Sequence, residues 1–168
     1  MQLLTLTVGG QTYALEARNV VEVLPLIPPR PVPLVPDYVL GVITYRGMLV
    51  PVIDLGLRLG HRGVETRLGT RLIVVEFMVP HRRDLFAEGE ASPPHKAHLG
   101  LAAENVISTC PSEDADTALP MKELDPVPFF GRLLRLRGAA VHLLVVEHLL
   151  PPELLDGLFL APAVRRSQ

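Results

Sequence analysis

The hydrophobic and polar positions of the chain form short apolar stretches that are separated by turns. Apolar stretches at residues 3–8 and 12–15 flank Gly9-Gly10, and this pair supplies the positive φ angles of a tight hairpin turn. Seventeen prolines and thirteen glycines interrupt regular structure in a chain that is 48% hydrophobic. Short apolar elements broken by turns are typical of a barrel or sandwich, so the pattern predicts a mainly all-β fold with a few short helices.

Two further hairpins are predicted around Arg-Gly pairs. Apolar stretches flank Arg46-Gly47 between residues 39 and 53, and others flank Arg137-Gly138 between residues 129 and 146. Six prolines between residues 25 and 36 predict a stiff connector, because proline cannot enter the interior of a sheet. The pattern therefore places a crossing loop directly before the first Arg-Gly hairpin.

The rest of the pattern predicts two strands, the segments between and after them, and two short helices. In chain order these are a helix at 54–60, a strand at Arg71–Val79, an exposed loop at 80–98, a strand at 99–109, an acidic segment at 112–125 and a helix at about 152–160. Asp54 is expected to cap the first helix. Pro152 stands near the first turn of the second, where a missing N–H costs nothing.

An internal repeat relates the two halves of the chain. Residues 15–21, Leu-Glu-Ala-Arg-Asn-Val-Val, are echoed by residues 101–107, Leu-Ala-Ala-Glu-Asn-Val-Ile, and an Arg-Gly hairpin follows in each half. The repeated parts cover roughly 15–60 and 100–150. Two similar barrels packed as subdomains of one domain, 1–168, would satisfy this pattern, because each alone buries little core. Chance matching of short apolar strings is the alternative.

Composition narrows the classes of function. Sixteen Lys and Arg residues against 18 Asp and Glu give a net charge of −2 that is spread along the chain, so no basic surface for nucleic acid is predicted. Cys110 is the single cysteine, which excludes an internal disulfide and favours a reducing compartment. The apolar stretches fall short of the roughly 20 residues of a membrane-spanning helix. The start of the chain lacks the apolar core of a signal peptide, so a soluble cytoplasmic protein without membrane insertion is expected.

The sequence contains no recognisable catalytic motif. A Gly-x-Ser-x-Gly elbow, a phosphate-binding loop and a dinucleotide fingerprint are all absent, so neither an enzyme nor a cofactor is predicted. A metal-dependent hydrolase built on His95 and His98 is the enzyme alternative, although the pair lacks a neighbouring cysteine or other metal-site pattern. A small barrel that binds nucleic acid or a ligand is the other alternative, and the absence of Trp and the 5% aromatic content argue against nucleic acid.

One run of residues carries a family resemblance. Residues 41–55, Gly-Val-Ile-Thr-Tyr-Arg-Gly-Met-Leu-Val-Pro-Val-Ile-Asp-Leu, resemble the central signature of the CheW family. The resemblance extends to residues 13–15 with 20–23, to 100–106 and to 145–150, so it covers most of the chain. It implies two SH3-like five-stranded β-barrels around a shared hydrophobic core, which agrees with the repeat.

Some positions differ from the usual family pattern. Tyr45 stands where the family usually has leucine or a similar residue before Arg-Gly, and Glu104-Asn105 replaces a common Asp-Gly or Asp-Arg pair. The stretch at 16–18 and the proline connector are similar to CheW-like proteins of alternative chemosensory pathways, including surface-sensing types.

The resemblance implies a non-catalytic adaptor in bacterial chemosensory signal transduction. Family members bridge the cytoplasmic tip of a methyl-accepting chemoreceptor and the regulatory domain of a CheA-type histidine kinase, so these are the two partners implied here. No cofactor is implied. A cytoplasmic protein recruited to membrane-associated receptor arrays is expected.

The resemblance also implies protein-binding positions. The characteristic arginine of the family maps onto Arg46, and its glutamate before the first crossing loop maps onto Glu22. A guanidinium at a hairpin tip can bind a partner carboxylate with little loss of backbone entropy. The expected positions are Val20, Glu22, Val39 and Val106 for the receptor, and Gly41, Val42, Tyr45, Arg46 and Leu49 for the kinase.

The same residue types also have purely structural interpretations. Arg-Gly makes a good exposed turn by itself, and a solvated charge there contributes about nothing to stability. Glu22 would equally serve as an edge-strand charge that discourages aggregation. His142 and His148 lie in apolar stretches, where partly buried imidazoles satisfied by backbone groups are expected.

Overall fold

The apolar stretches form β-strands. The computed structural model describes residues 2–65, 69–79, 94–111, 115–116, 127–151 and 153–154. The strands are β1 (Gln2–Val8), β2 (Gln11–Glu16), β3 (Val20–Pro25), β4 (Val39–Tyr45), β5 (Met48–Asp54), β6 (Arg71–Val79), β7 (His95–Ala103), β8 (Asn105–Pro111), β9 (Ala115–Asp116), β10 (Phe130–Leu136) and β11 (Ala139–Leu144). They are joined by the helix α1 (Leu55–Arg58) and by 3-10 turns at Ala17–Asn19 and Val146–His148.

The strands form two sheets. The first sheet has the order β8-β1-β2-β11-β10-β9, and the second has the order β3-β6-β7-β5-β4. The predicted all-β class is confirmed, and the first sheet gains a sixth strand, the two-residue β9, at its edge. Neighbouring strands pair antiparallel except for β2 with β11 and β5 with β7, which are parallel.

The two halves of the chain have the same strand connectivity, and each half gives strands to both sheets. In chain order, β1 to β5 of the first half correspond to β6, β7, β8, β10 and β11 of the second half. Corresponding strands occupy the same position in the strand orders of the two sheets. Each series gives two strands to one sheet and three to the other. The repeated segments therefore each cross between the sheets, and neither forms a barrel by itself as the sequence pattern suggested.

Both copies of the sequence repeat lie at these crossings. Residues 15–21 contain the end of β2, the 3-10 turn and the start of β3, so the chain leaves the first sheet there. Residues 101–107 contain the end of β7 and the start of β8, with a break at Glu104, so the chain returns there. The single strand predicted at 99–109 is therefore wrong, because a continuous apolar run does not reveal which sheet each part joins.

The main core lies between the two sheets and receives side chains from both. Leu6 and Leu15 of the first sheet and Ile53, Ile73 and Leu99 of the second are fully buried in it. Each sheet also has a smaller core of its own: one contains Leu3, Ala14, Leu134, Leu136, Val141 and Leu143, and the other contains Ile43, Tyr45, Val50, Val52, Leu72, Val74 and Ala102. Burial of each large aliphatic side chain contributes about 1.5–3 kcal/mol, so the shared cluster holds the sheets together.

The short helix α1 anchors one sheet to the other. Asp54 caps it as predicted, because its Oδ1 accepts a hydrogen bond from the Leu57 N–H at 3.0 Å. Arg58 at its end donates from Nε to the Leu149 carbonyl at 2.6 Å. The Arg58 guanidinium also lies 4.3 Å from the ring centroid of Phe129 and 4.9 Å from that of Tyr38. One cation thus joins residues that follow β5 to residues beside β10 and β11.

Several predicted segments fall partly or wholly outside the described residues. The loop predicted at 80–98 is contradicted at its end, since β7 already begins at His95 and pairs with β6, while residues 80–93 lie outside the described part. Of the acidic segment at 112–125, only Ala115–Asp116 is described, as a strand. Of the helix predicted at about 152–160, only residues 153 and 154 are described, and both are helical.

The proline connector covers the outer edge of β4. Arg30 and Val42 exchange two backbone hydrogen bonds, with N···O distances of 2.8 and 2.9 Å, so the connector pairs with an otherwise open edge. Gly41 lies beneath this contact with φ = 143°, at a shift in the β4–β5 register. A Cβ atom there would lie 2.0 Å from the Arg30 carbonyl oxygen, so the close approach requires glycine.

Gly41→Ala is expected to lower the free energy of unfolding by at least about 3 kcal/mol, because a strained backbone costs about 1–3 kcal/mol and the clash with the Arg30 carbonyl adds to it. Urea unfolding followed by circular dichroism measures this change. Gly10→Ala is the matched control, since Gly10 also has positive φ, 78°, but nothing lies within 4 Å of its Cβ position. Equal losses in the two variants would show that the connector does not press on Gly41.

His142 belongs to a cluster of rings near the interface of the sheets. Its ring centroid lies 4.7 Å from that of Phe130 and 6.4 Å from that of Tyr13. Its Nδ1 is buried and has no hydrogen-bond partner in the described part of the chain, so the predicted backbone partner is not found there. His148, predicted to be partly buried, is exposed. Burial lowers the pKa of His142, since the charged imidazolium loses hydration among these rings.

His142→Leu is expected to flatten the pH dependence of stability in acid. The pKa of His142 is lower in the folded state, so the unfolded chain binds the proton more readily and stability falls as pH drops below about 6.5. Melting temperatures at pH 7.5 and 5.5 should therefore differ less in His142→Leu than in the wild type. His148→Leu, at an exposed position, is the control and should retain the wild-type difference. An unchanged difference in His142→Leu would contradict this role.

Candidate protein-binding surface

Three side chains meet where the second sheet closes into a barrel. Its edge strands are β3 and β4, which are not neighbours in the sheet. Glu22 on β3 accepts a hydrogen bond at Oε2 from the Tyr45 hydroxyl of β4 at 2.5 Å, and the same oxygen lies 3.2 Å from Arg46 Nη2. The contact joins the two edges, so Glu22, Tyr45 and Arg46 form a seam cluster on the barrel.

The tip of the β4–β5 hairpin holds Arg46 in a fixed backbone conformation. Arg46 and Gly47 have φ angles of 47° and 76°, which is the pair of positive values that a two-residue primed hairpin turn requires. The Arg46 guanidinium lies 5.1 Å from the Tyr45 ring centroid. Its side chain is still 64% exposed, against 38% for Glu22. The backbone of Arg46 is therefore fixed by the turn, while its guanidinium group is accessible to solvent.

The seam cluster has a directional hydrogen bond at its centre. The bond to Glu22 raises the pKa of Tyr45, burial raises it further, and the positive charge of Arg46 opposes both. The phenol therefore keeps its proton and donates a hydrogen bond to the carboxylate. A hydrogen bond to a charged acceptor is stronger than a neutral one, so Tyr45 fixes the position of Glu22.

A groove lined by both apolar and polar groups lies beside the seam cluster. It has a volume of about 160 Å³ and runs between the proline connector and the hairpin. Its lining residues are Ile27, Pro28, Arg30, Val42, Ile43, Thr44 and Leu49. Leu49 is 51% exposed and the neighbouring Met48 is 42% exposed, so apolar surface surrounds the charged tip. Exposed apolar side chains next to a fixed cation are typical of protein-binding surfaces.

The predicted kinase-facing positions thus lie on or next to one hairpin. Tyr45 and Arg46 belong to the seam cluster, and Val42 and Leu49 line the groove. Gly41 is buried beneath the connector, which gives it a packing role. Sequence reasoning missed Met48, Ile27 and Pro28 as surface residues of this region; only their position within or beside apolar stretches could have indicated them.

The predicted receptor-facing positions divide differently. Val20 and Val106 are half-buried and pack against the core between the sheets, and Val39 is buried in that core. Val20 and Val106 occupy equivalent positions of the sequence repeat and begin or nearly begin equivalent strands, β3 and β8. Glu22 belongs to the seam cluster instead, so these four residues do not form one surface patch.

The His95 and His98 pair is not arranged as a metal site. Both residues lie on β7 three positions apart, and residues at odd spacing in a strand point to opposite faces of the sheet. His98 lies 4.0 Å from Glu76, which also pairs with Lys96 at 2.8 Å. Among the described residues, no group of three or more His, Cys, Asp or Glu side chains could hold a metal ion.

Comparison with known families identifies the group to which the fold belongs. The model of the CheW-like domain family matches residues 2–153. The chain belongs to the CheW-like domain family. The match covers both sheets and includes the seam cluster, so the whole described fold is that of a CheW-like domain.

Curated relatives of this CheW-like domain are chemotaxis proteins. The chain is 35% identical over 75 residues to chemotaxis protein CheW of Rhizobium meliloti (strain 1021), covering 45% of this chain and 48% of the relative. It is 35% identical over 75 residues to chemotaxis protein CheW of Helicobacter pylori, covering 45% and 46%. It is 34% identical over 76 residues to chemotaxis protein CheW of Bacillus subtilis, covering 45% of this chain and 49% of that relative. These alignments span about half the length of the curated relatives.

A solved structure has the same fold. The crystal structure of the scaffolding protein TtCheW from Thermoanaerobacter tengcongensis superimposes with a TM-score of 0.66 at 21% identity, covering 88% of this chain and 90% of that one. The CheW-like arrangement of two SH3-like β-barrels is therefore shown for this chain. In the part of the chain that the structure describes, no helix is long and apolar enough to span a bilayer.

Glu22→Ala is expected to lower the pKa of Tyr45 toward the ordinary value of 10.0, because it removes the acceptor that holds the phenol proton. Alkaline titration monitored by NMR of the tyrosine ring carbons, assigned with Tyr45→Phe, measures the shift. Glu76→Ala is the control, since it breaks the ion pair with Lys96 on another part of this CheW-like sheet. An unchanged Tyr45 titration in Glu22→Ala would show that the cluster does not exist in solution.

Proposed function

We propose that this CheW-like chain is a non-catalytic adaptor that couples a methyl-accepting chemoreceptor to a CheA-type histidine kinase in chemosensory signal transduction. The observation that carries the proposal is the seam cluster at the tip of an exposed hairpin, with a groove at its side. The protein would act in the cytoplasm, recruited to membrane-associated receptor arrays.

The geometry of the hairpin suits binding of a protein rather than turnover of a substrate. The guanidinium of Arg46 is exposed and offers several N–H donors in a planar fork, which matches a carboxylate or a row of helix carbonyls. Its backbone is already fixed by the turn, so binding costs little conformational entropy. The apolar side chains of Met48 and Leu49 beside it supply surface that gains free energy when water leaves.

The exchange of strands gives an adaptor two barrels in one folded unit. The hairpin with Arg46 belongs to the second sheet, whereas Val106 lies on the first sheet. Val20 and Val106 each pack against the core between the sheets. We assign kinase docking to the hairpin and the groove beside it. We assign receptor docking to the surface around Val20 and Val106.

The names of the relatives support the adaptor proposal. The curated relatives are chemotaxis proteins, and the structural neighbour is a scaffolding protein. A direct test is capture of the CheA-type kinase regulatory domain encoded in the same genome by the purified intact chain. Absence of binding between two correctly folded proteins would overturn the adaptor proposal.

Arg46→Glu is expected to weaken kinase capture by at least about tenfold, because it reverses the charge at the docking tip and adds repulsion next to Glu22. Isothermal titration calorimetry measures the affinity, and the melting temperature reports on the fold. Arg46→Ala removes the charge without adding repulsion and should also weaken capture. Arg62→Glu, the same change at an exposed site outside the hairpin, is the matched control. Wild-type affinity in both Arg46 variants would remove Arg46 from the docking surface.

A further inference from the structure

Arg46 is shared between the seam cluster and the docking surface proposed above. Its Nη2 atom lies 3.2 Å from Glu22 Oε2, yet 64% of its side chain is exposed. A guanidinium that turns toward a partner carboxylate leaves the carboxylate of its own chain, so one charge-assisted contact replaces another. The more strongly Glu22 depends on Arg46, the more free energy the partner must supply to draw the guanidinium away.

The Tyr45 hydroxyl gives Glu22 a second donor. It lies 2.5 Å from the same Oε2 atom that Arg46 approaches. A hydrogen bond to a carboxylate is roughly twice as strong as one between neutral groups, whereas an exposed ion pair contributes little to stability. The contact between β3 and β4 therefore depends mainly on the tyrosine and does not require the cation.

Tyr45 itself has little surface to offer a partner. Only 6% of the residue is exposed, and its ring packs in the core of the second sheet with Val50 and Val74. The Arg46 guanidinium lies 5.1 Å from the centroid of the ring. A side chain buried in this way acts on the docking surface through the two charged residues that it touches.

The other barrel provides an internal comparison. Its β10–β11 hairpin turns at Arg137-Gly138 with φ angles of 49° and 81°, close to those at the tip of β4–β5. Leu136 precedes that arginine. Ser108 of β8 takes the place of Glu22, because in each strand the register skips the residue directly before it. The turn therefore needs neither the tyrosine nor the glutamate, and these two occur together at one tip.

We propose that Tyr45 is a positioning residue that keeps Arg46 available to the kinase. Its hydroxyl holds Glu22 and keeps the barrel closed, so Arg46 exchanges Glu22 for a carboxylate of the partner without opening the seam. This inference rests on the adaptor function proposed above and deepens it. Tyr45 does not touch the partner; it sets how readily Arg46 does.

The first test uses the intact chain alone. Tyr45→Phe keeps the ring and removes only the hydroxyl, so Glu22 then has Arg46 as its remaining donor. Arg46→Ala should lower the melting temperature by at least about 2 °C more in Tyr45→Phe than in the wild type. The contact of the guanidinium with the ring is lost in both backgrounds and cancels. Equal changes in the two backgrounds would overturn the proposal.

The second test measures affinity for the CheA-type kinase regulatory domain by isothermal titration calorimetry. Tyr45→Phe should weaken binding at least about threefold, because Arg46 is then needed by Glu22. In the Glu22→Gln background no carboxylate holds Arg46, so the same change should alter the affinity by less than about 1.5-fold. Equal losses in the two backgrounds would show that the hydroxyl does not act through Glu22, and would overturn the proposal.

Tyr13→Phe is the matched control for the loss of a hydroxyl. The Tyr13 hydroxyl also bonds two side chains, Gln11 and His61, but it lies on the first sheet. This variant should bind the kinase as the wild type does, and a loss equal to that of Tyr45→Phe would overturn the assignment to Tyr45. Absence of kinase binding by the wild type would overturn the adaptor function, whereas the melting temperatures decide the role of Tyr45 in the seam without the kinase.

Discussion

The structure depends on one constraint, the apolar core that lies between the two sheets and that neither half of the chain can bury alone. Leu6 and Leu15 come from strands of the first sheet, and Ile53, Ile73 and Leu99 come from the second. Since each half of the chain gives strands to both sheets, separating the two halves would break backbone pairing within both sheets as well as this core. The two barrels are therefore expected to fold together, and the hairpins on their outer sides keep a fixed relation to each other. An adaptor that holds two proteins in register requires such a fixed relation.

Exposed sheet edges present the second constraint, and the chain manages them in different ways. In the second sheet, Arg30 of the proline connector pairs with Val42, and the Tyr45–Glu22 hydrogen bond joins β3 to β4. Charged residues and covering segments discourage unwanted pairing of such edges. In the first sheet, β9 pairs with Arg135 and Leu136 of β10. The second sheet thus protects its edges with the connector and the seam cluster, and in the described part of the first sheet a short strand lies outside β10.

Local features of the fold could be predicted from the sequence, whereas long-range ones could not. Both Arg-Gly hairpins and the Asp54 cap were predicted correctly, because turn and cap preferences depend on neighbouring residues. The repeat at 15–21 and 101–107 was found, but alternation of apolar residues does not say which sheet a strand joins, so the exchange was missed. Gly41 was predicted as a contact residue, but the structure requires glycine there because the Arg30 carbonyl of the connector lies against it. The groove was missed for the same reason, since it forms only when that connector folds back against the hairpin.

The tyrosine at position 45, where leucine or a similar residue is usual in the family, affects how strongly Glu22 depends on Arg46. An exposed ion pair such as Arg46 with Glu22 contributes little by itself and competes with water. The Tyr45 hydroxyl holds the Glu22 carboxylate at 2.5 Å independently of Arg46, so the seam remains closed if the guanidinium turns to another acceptor. Leucine at position 45 could not donate this bond, and Glu22 would then depend on Arg46 alone. The tyrosine therefore separates two tasks that one ion pair would otherwise share, closing the barrel and offering a cation to the partner proposed above.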